Sequence, residues 1–509
     1  MNDVRIRRSC VLTVLVWSFM PSVTAADGNV TFVVTEAGSD VRTACRIHIQ
    51  NEAGQAQRPT GLPFWRDHFV CPGEAELSLP AGSYSFEVER GPEYFVAPGN
   101  FNVREDETEP VTVTLKRLVD MSAEGWWPGD LHVHRPVEDI ELLMRAEDLH
   151  VAPVITWWNN RNLWQDRPTP DEPLRRFDGQ RYYHAMAGED EREGGALLFF
   201  QLRKPLTIAG ASREHPSPMK FVAEARRQPG VWIDIEKPFW WDVPVWLASG
   251  QVDSVGIANN HMCRSQMYET EAWGRPRDAA RLPAPTGNGF WTQEVYYHIL
   301  NCGLRVPPSA GSASGVLPNP VGYNRVYTYL GDRLDYAAWW AALRDGRSFV
   351  TNGPMLRVLV DGQMPGHVFT AAAGPLDLGV FIDLQSREPI DRVEIIKDGR
   401  IERTVRHDDW SQIDSLGSLR FDASGWFLVR AICKNPKTFR FASTAPYYVE
   451  IGDAKRRISR ASAQLFLDWV DERIGRVKLD DLALREEVLE HHRRAREFWL
   501  ARLAMSNAP

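Results

Sequence analysis

The sequence predicts an α/β protein: a β/α core flanked by N- and C-terminal β-sandwich-like domains and ended by helices. Three observations carry this. Apolar residues recur with period two over 27–120 and again over 351–452, the spacing of half-buried strands. Over 121–350, short apolar runs alternate with segments of helical spacing, the rhythm of parallel strands joined by helices. The last stretch, 453–509, sets apolar residues at helical spacing among many charges.

At 509 residues the chain exceeds what one hydrophobic core usually covers, so several domains are expected. Hydrophobic residues make up 43% and charged residues 25%, the composition of a globular chain. The net charge of −8 comes without long like-charge blocks, which speaks against nucleic acid as a partner. Nine of the 19 tryptophans fall between Trp157 and Trp291, enough to line a groove as well as to fill a core. Arg5, Arg7 and Arg8 precede the apolar run 10–20, and Val23-Thr24-Ala25 resembles a small-residue cleavage site. This predicts a signal peptide over 1–25 and an exported protein, periplasmic or extracellular. No later run reaches 18 apolar residues, so no transmembrane segment is expected in the mature chain. Cys10 leaves with the signal. Of the remaining cysteines, Cys45 and Cys71 could bridge within one small domain, and Cys263 with Cys302 is the weaker pairing.

Taken in order, the first strands fall at 29–35, 45–49, 75–79, 83–89 and 111–115, with turns at Leu79-Pro80-Ala81-Gly82 and Gly91-Pro92. They suggest a small sandwich of a kind that serves as a structural module or binds sugars or proteins. In the core, helix-like stretches 139–148, 219–227 and 245–249 precede apolar runs 151–156, 231–235 and 252–257. A further helix over 292–303 carries His298 as a packed residue. Strands return at 356–360, 376–384, 392–396, 426–432 and 447–450. Two amphipathic helices, 459–474 and 482–503, end the chain and are expected to pack back on the body.

The chemistry gathers around 125–135, GWWPGDLHVHR. If 131–134 ends a strand, His132 and His134 point to one side and offer two imidazoles to one cavity. Other strand ends add Glu189, Glu236 and His261, which would complete an imidazole–carboxylate site for one divalent ion: zinc, manganese or iron. The plain alternatives are a Glu236–Lys237 ion pair and a solvated acidic turn around Glu189. In such a site Asp130 would orient a ligand imidazole. Lys237 or Arg135 would stabilise developing negative charge, and Asp190 or Glu191 would move a proton. Trp157, Trp158, Asn159, Trp240 and Trp241 would form walls of a substrate cleft, with core packing as the alternative for the tryptophans. The loop 311–322 lacks the lysine of a phosphate-binding loop. It reads as a cover over the site, with Asn319 and Asn324 as substrate contacts. No serine-hydrolase elbow is visible.

The run Asp130-Leu131-His132-Val133-His134 resembles the first motif of the PHP superfamily of metal-dependent hydrolases, in particular its exported CehA/McbA-like branch. Gly188-Glu189 matches the family's glutamate position, and 149–159 follows its next segment in hydrophobic pattern. The stretch 301–327, with Gly303, Arg305, Pro307, Gly311, Ser312 and Tyr327, is similar to its last barrel motif, and 346–354 to its exit from the barrel. The resemblance covers about 121–360 and implies a distorted β/α barrel with metal at the C-terminal strand ends. Several usual ligand positions are replaced: Trp157 and Trp158 stand for an aspartate–histidine pair, Gly195 or Ala196 for a histidine, and Ala313 and Gly315 for another aspartate and histidine. None of these can ligate through a side chain. Two readings follow. One is an exported hydrolase of an ester, amide or phosphoester, its site rebuilt around one metal and acting on a small-molecule or glycan-like substrate. The other is a non-catalytic binding protein on a degenerate PHP-like barrel, recognising a glycan or apolar-faced ligand.

Overall fold

The computed structural model describes residues 27–104 and 110–509. The signal expected over 1–25 lies outside the described residues. The fold is α/β, with mixed β-sheets and C-terminal helices.

In the N-terminal region Asp27–Glu36 lies between Glu74–Pro80 and Val111–Leu115. A second sheet contains β1 (Cys45–Asn51), β2 (Phe64–Trp65) and β3 (His68–Cys71), followed by Gly82–Glu89 and Ala97–Val103. Alternate residues such as Ala75, Leu77 and Leu79 turn inward onto Phe32, Ile47, Phe69 and Val88. The strand Ala97–Val103 has no sequence signature because it contains Pro98 and Gly99. It survives at the sheet edge, where a missing N–H costs no ladder bond. The other parity of β1 and β3 faces the middle of the molecule: Val70 packs with Val133, Leu143 and Met144.

The middle region is built on β4 (Trp126–Gly129), β5 (Val151–Trp158), β6 (Arg181–Arg192), β7 (Gly195–Phe200), β8 (Trp232–Ile235), β9 (Ser254–Ala258), β10 (Pro308–Ala310) and β11 (Arg325–Tyr329). Parallel pairs join β4 to β5, β5 to β6, β8 to β9 and β9 to β10. The expected parallel order is interrupted at β7, which is antiparallel to both β6 and β8. The cause is local. A two-residue link containing Gly194 turns β6 straight back as a hairpin, leaving no room for a helical crossover.

Helices α1 (Ile140–Ala146), α2 (Pro218–Ala225), α3 (Val243–Ala248), α4 (Gly287–Asn301) and α5 (Tyr336–Arg344) accompany these strands. The α2 start is fixed by Ser217, whose side chain accepts from the Met219 N–H, with Pro218 in the first turn. His298 on α4 pairs with the Ser462 hydroxyl at 2.9 Å.

Further strands from Met355 to Ile451 form a second β region around Leu356, Val380, Phe427 and Tyr447. Its strand Phe441–Thr444 pairs with Ser348–Thr351 of the middle region. Helices α6 (Arg460–Arg476) and α7 (Leu482–Ala504) bury Trp469 and Trp499 in the same core as Trp232 and Trp340. Arg473 on α6 reaches Asp242 at 2.6 Å. Among the described residues no helix is long and apolar enough to cross a membrane.

Candidate metal centre

The segment after β4 is not itself a strand. Only Val133 forms bridges, to Val154 and Ser314. The Asp130 carboxylate is the reason the ladder stops there. It accepts the backbone N–H of His132 and Ser312, each at 3.0 Å, and of Gly322 at 2.7 Å. Asp130 therefore shapes the backbone under the histidines and does not touch an imidazole. His132 and His134 still flank Val133 on one side. Behind them the chain fits closely: a Cβ on Gly311 would lie 2.4 Å from His132 Cβ, and one on Gly315 2.5 Å from the His134 carbonyl oxygen.

The two Nε2 atoms approach to 3.0 Å, and Glu189 Oε2 lies 3.4 Å from that of His132 and 3.0 Å from that of His134. These three side chains form a group that could hold a metal ion. Ligand atoms about 2.0–2.1 Å from a tetrahedral ion stand roughly 3.3 Å apart, close to these separations. Glu189 Oε2 is buried without an aligned hydrogen bond, as an atom facing an ion would be. Burial works against charge on His132, but Glu189 and Glu236 outweigh it and raise its pKa. At His134 burial prevails and the pKa falls. Burial also opposes ionisation of Glu189, yet the two imidazoles hold its pKa well below the ordinary range. A metal requires an ionised carboxylate and neutral imidazoles; Glu189 and His134 lean that way, and His132 would give up a proton on binding.

The remaining candidates divide by strand parity. Glu189 and Glu191 share one face of β6. Burial, reinforced by Glu189 and Glu236, pushes the Glu191 carboxyl up to about 8. Asp190 faces the other way and is closed by Arg192 at 2.6 Å. Glu236 Oε1 lies 3.5 Å from His132 Nδ1. Glu236 itself is held by Lys237, by the Asn260 amide and by the Trp240 indole N–H at 3.2 Å. Lys237 thus forms the simple ion pair with Glu236 and also sits over the Trp240 ring, 4.6 Å from its centroid. His261 is not part of the three-residue group. Its ring lies tilted against those of Phe239 and Tyr268, and burial and the Lys237 ammonium hold its pKa well down. Asn260 takes its place beside Glu236. Sequence reasoning missed that role, although the residue stood in the same strand-end run.

Trp158 reaches the site, its ring 5.0 Å from that of His134. Trp157 is buried against Phe199, Trp241 packs on Trp469, and Arg135 lies over Trp65. Asn159 clamps β5 to β6 through both backbone groups of Glu191. Asn319 and Asn324 donate to loop carbonyls, those of Asn260 and Ser312 and those of Asn259, Met262 and Gly311. A void of about 10 Å³ beside His132, Glu236 and Asn260 has room for a single water. On its wall Asp234 accepts from the Ser254 and Ser309 hydroxyls, and burial pushes its carboxyl up to about 7.

No family model and no curated protein matches the chain. Among solved structures, the minor pilin GBS52 of Streptococcus agalactiae aligns over 19% of this chain and 47% of its own, at 15% identity and TM-score 0.17. The Bacillus anthracis TIE protein aligns over 84% of this chain and 50% of its own, at 9% identity and TM-score 0.15. The chain spans about half the length of each. At these TM-scores neither likeness bears on fold or function.

A second group, His48, Asp67 and His68, also brings three ligand atoms together. Its chemistry fits a cation less well. Arg46 Nε donates to His48 Nε2 at 3.1 Å, which leaves the proton of the neutral ring on Nδ1, facing Asp67 Oδ2 at 3.4 Å. Burial first, and then Arg46, push the His68 pKa down to about 3. This group is a hydrogen-bonded bridge under the positive field of two arginines, Arg46 and Arg264.

Proposed function

We propose that the chain is an exported metal-dependent hydrolase of an ester, amide or phosphoester, on a distorted PHP-type barrel with one divalent ion. The observation that carries this reading is the convergence of His132 Nε2, His134 Nε2 and Glu189 Oε2. Those residues would hold the ion, whether zinc, manganese or iron. The chemistry such an ion supplies is Lewis-acid activation of the substrate oxygen and of water.

The chain's own residues do the rest. Glu236, oriented by Lys237 and Asn260, steers the His132 ring through Nδ1. Asp130 fixes the backbone that carries both histidines. Glu191, on the same face as Glu189, delivers its proton to the leaving group. Trp158 forms the apolar wall beside His134 and excludes water from that side.

A second reading rests on burial. The side chains of His132, His134 and Glu189 expose only 3, 8 and 2% of their surface, which also suits a structural ion in a non-catalytic binding protein. One experiment separates the two. Metal content of untagged protein is measured by mass spectrometry beside turnover of an ester, amide and phosphoester panel, in wild type and in the double variant His132→Ala, His134→Ala. A hydrolase carries about one ion per chain and loses both ion and turnover in the variant. Metal without turnover assigns the structural role, and no metal under any loading condition rejects both metal readings.

A further inference from the structure

The N-terminal β region, the middle region and the second β region meet around a cavity of about 540 Å³, a size suited to a small ligand. None of the metal-centre residues borders it. Six basic side chains do: Arg46, Arg264, Arg325, Arg387, Lys437 and Arg440. They face four carboxylates, Glu87, Glu89, Glu147 and Glu388. The excess is positive in a chain whose net charge is −8.

Pairing within the wall leaves that excess concentrated. Glu89 is shared by Arg46 at 3.0 Å, Arg264 at 2.6 Å and Arg387 at 3.1 Å, while Arg46 also pairs with Glu147 and Arg264 with Glu87. Among the described residues Arg387 has no other carboxylate at ion-pair distance. Burial pulls its pKa down, and Arg46 and Arg440 repel its charge. Arg325 is fully buried, and among the described residues it donates to the oxygens of Gly322, Glu147 and Tyr327, with the Glu93 and Glu147 carboxyls near enough to feel its charge. Arg440 pairs with Glu388, but its Nε is buried with no hydrogen-bond partner. Guanidinium groups withdrawn from water without matching negative charge are costly. Their planar forks match the oxygens of phosphate and carboxylate.

We propose that this cavity binds a small multivalent oxyanion, whose charge adds to that of Glu89 at Arg387 and draws Lys437 in from the rim. The site stands apart from the metal reading and does not depend on it. It does adjoin that centre: Gly322 accepts from Arg325 and donates to Asp130.

The test is isothermal titration of chelator-treated protein with inorganic phosphate and with citrate, at ionic strength matched by chloride. Saturable binding of at least one is expected. Phosphate alone assigns a phosphoryl ligand and citrate alone a polycarboxylate. Arg387→Gln and Lys437→Gln should each weaken binding about tenfold, the worth of one charged hydrogen bond, and His132→Ala should leave it intact. Lys437 is exposed, so its variant remains informative even if Arg387→Gln folds poorly. Neither anion binding saturably, binding lost in His132→Ala, or binding unchanged by Lys437→Gln would each overturn the proposal.

Discussion

Glu189 and Glu236 both sit at strand ends, yet they occupy different chemical positions. Glu189 is held by two imidazoles, whereas Glu236 is held by an ammonium, an amide and an indole. On the proposed reading the first is a ligand and the second acts only through His132. Glu189→Gln should therefore abolish metal binding, while Glu236→Gln should keep the ion at an affinity about 10–100-fold lower. A competition titration with a chromogenic chelator reads both, and equal losses would contradict the division of roles. The sequence contains part of this difference. Period two on β6 separates Glu189 and Glu191 from Asp190 and Arg192. It fails one strand later. β9 ends at Ala258, and the Asn259 side chain then accepts the His261 N–H at 3.1 Å. The chain has left strand geometry, so parity no longer says which of Asn260 and His261 turns toward Glu236.

At the scale of elements, register was the information missing from the sequence. The strands at 45–49 and 83–89 could be read from alternation, but not that Cys45 on β1 stands directly opposite Cys71 on β3. Opposed residues in an antiparallel pair have Cα atoms about 4.5 or 5.5 Å apart, and either value lies within the range a disulfide spans. Both thiols are free and buried. A hydrogen bond from Cys45 lowers the Cys71 pKa, while burial, with Cys71 next, raises that of Cys45. The pair is thus an asymmetric donor and acceptor, and Cys71 is the better thiolate. Incubation with oxidised glutathione should remove two thiols per chain, forming one Cys45–Cys71 bond and releasing two reduced glutathiones. The closed loop should stabilise the N-terminal region by about 3–4 kcal/mol on the chain-entropy account. Thiol titration in denaturant, before and after oxidation, counts the loss. A Cys45→Ser chain that loses as many thiols as wild type would disprove the pairing.

At the scale of the molecule, the regions are joined by contacts that no local pattern announces. Periodicity marks Trp469 and Trp499 as apolar faces, but their burial against the middle core depends on residues more than two hundred positions away. The same holds for Glu93. It is a charged residue beside the turn Gly91-Pro92 in sequence, and a fully buried carboxyl in the fold. Its oxygens accept from the Met121 N–H at 2.9 Å and the Tyr327 hydroxyl at 2.8 Å, tying the N-terminal region to the middle one. Burial, with the charge of Asp148 second, pushes this carboxyl up to about 7 against the pull of those donors and of Arg325. The folded chain therefore holds a proton on Glu93 that the unfolded chain releases near pH 4.5. Between about 4.5 and 7 the folded state binds more protons at this site, so the Glu93 contribution to stability is full at the acid end and declines as pH rises. Buried histidines with lowered pKa, such as His150 and His184, act in the opposite sense over part of the same range. The difference between wild type and a variant isolates the carboxyl. Glu93→Gln keeps an oxygen for one of the two donors, can offer its amide N–H to the Tyr327 hydroxyl oxygen, and cannot ionise. Relative to wild type it should gain denaturation midpoint from pH 5 to pH 8, and a gap that stays constant across that range would show that Glu93 carries its charge in the folded protein.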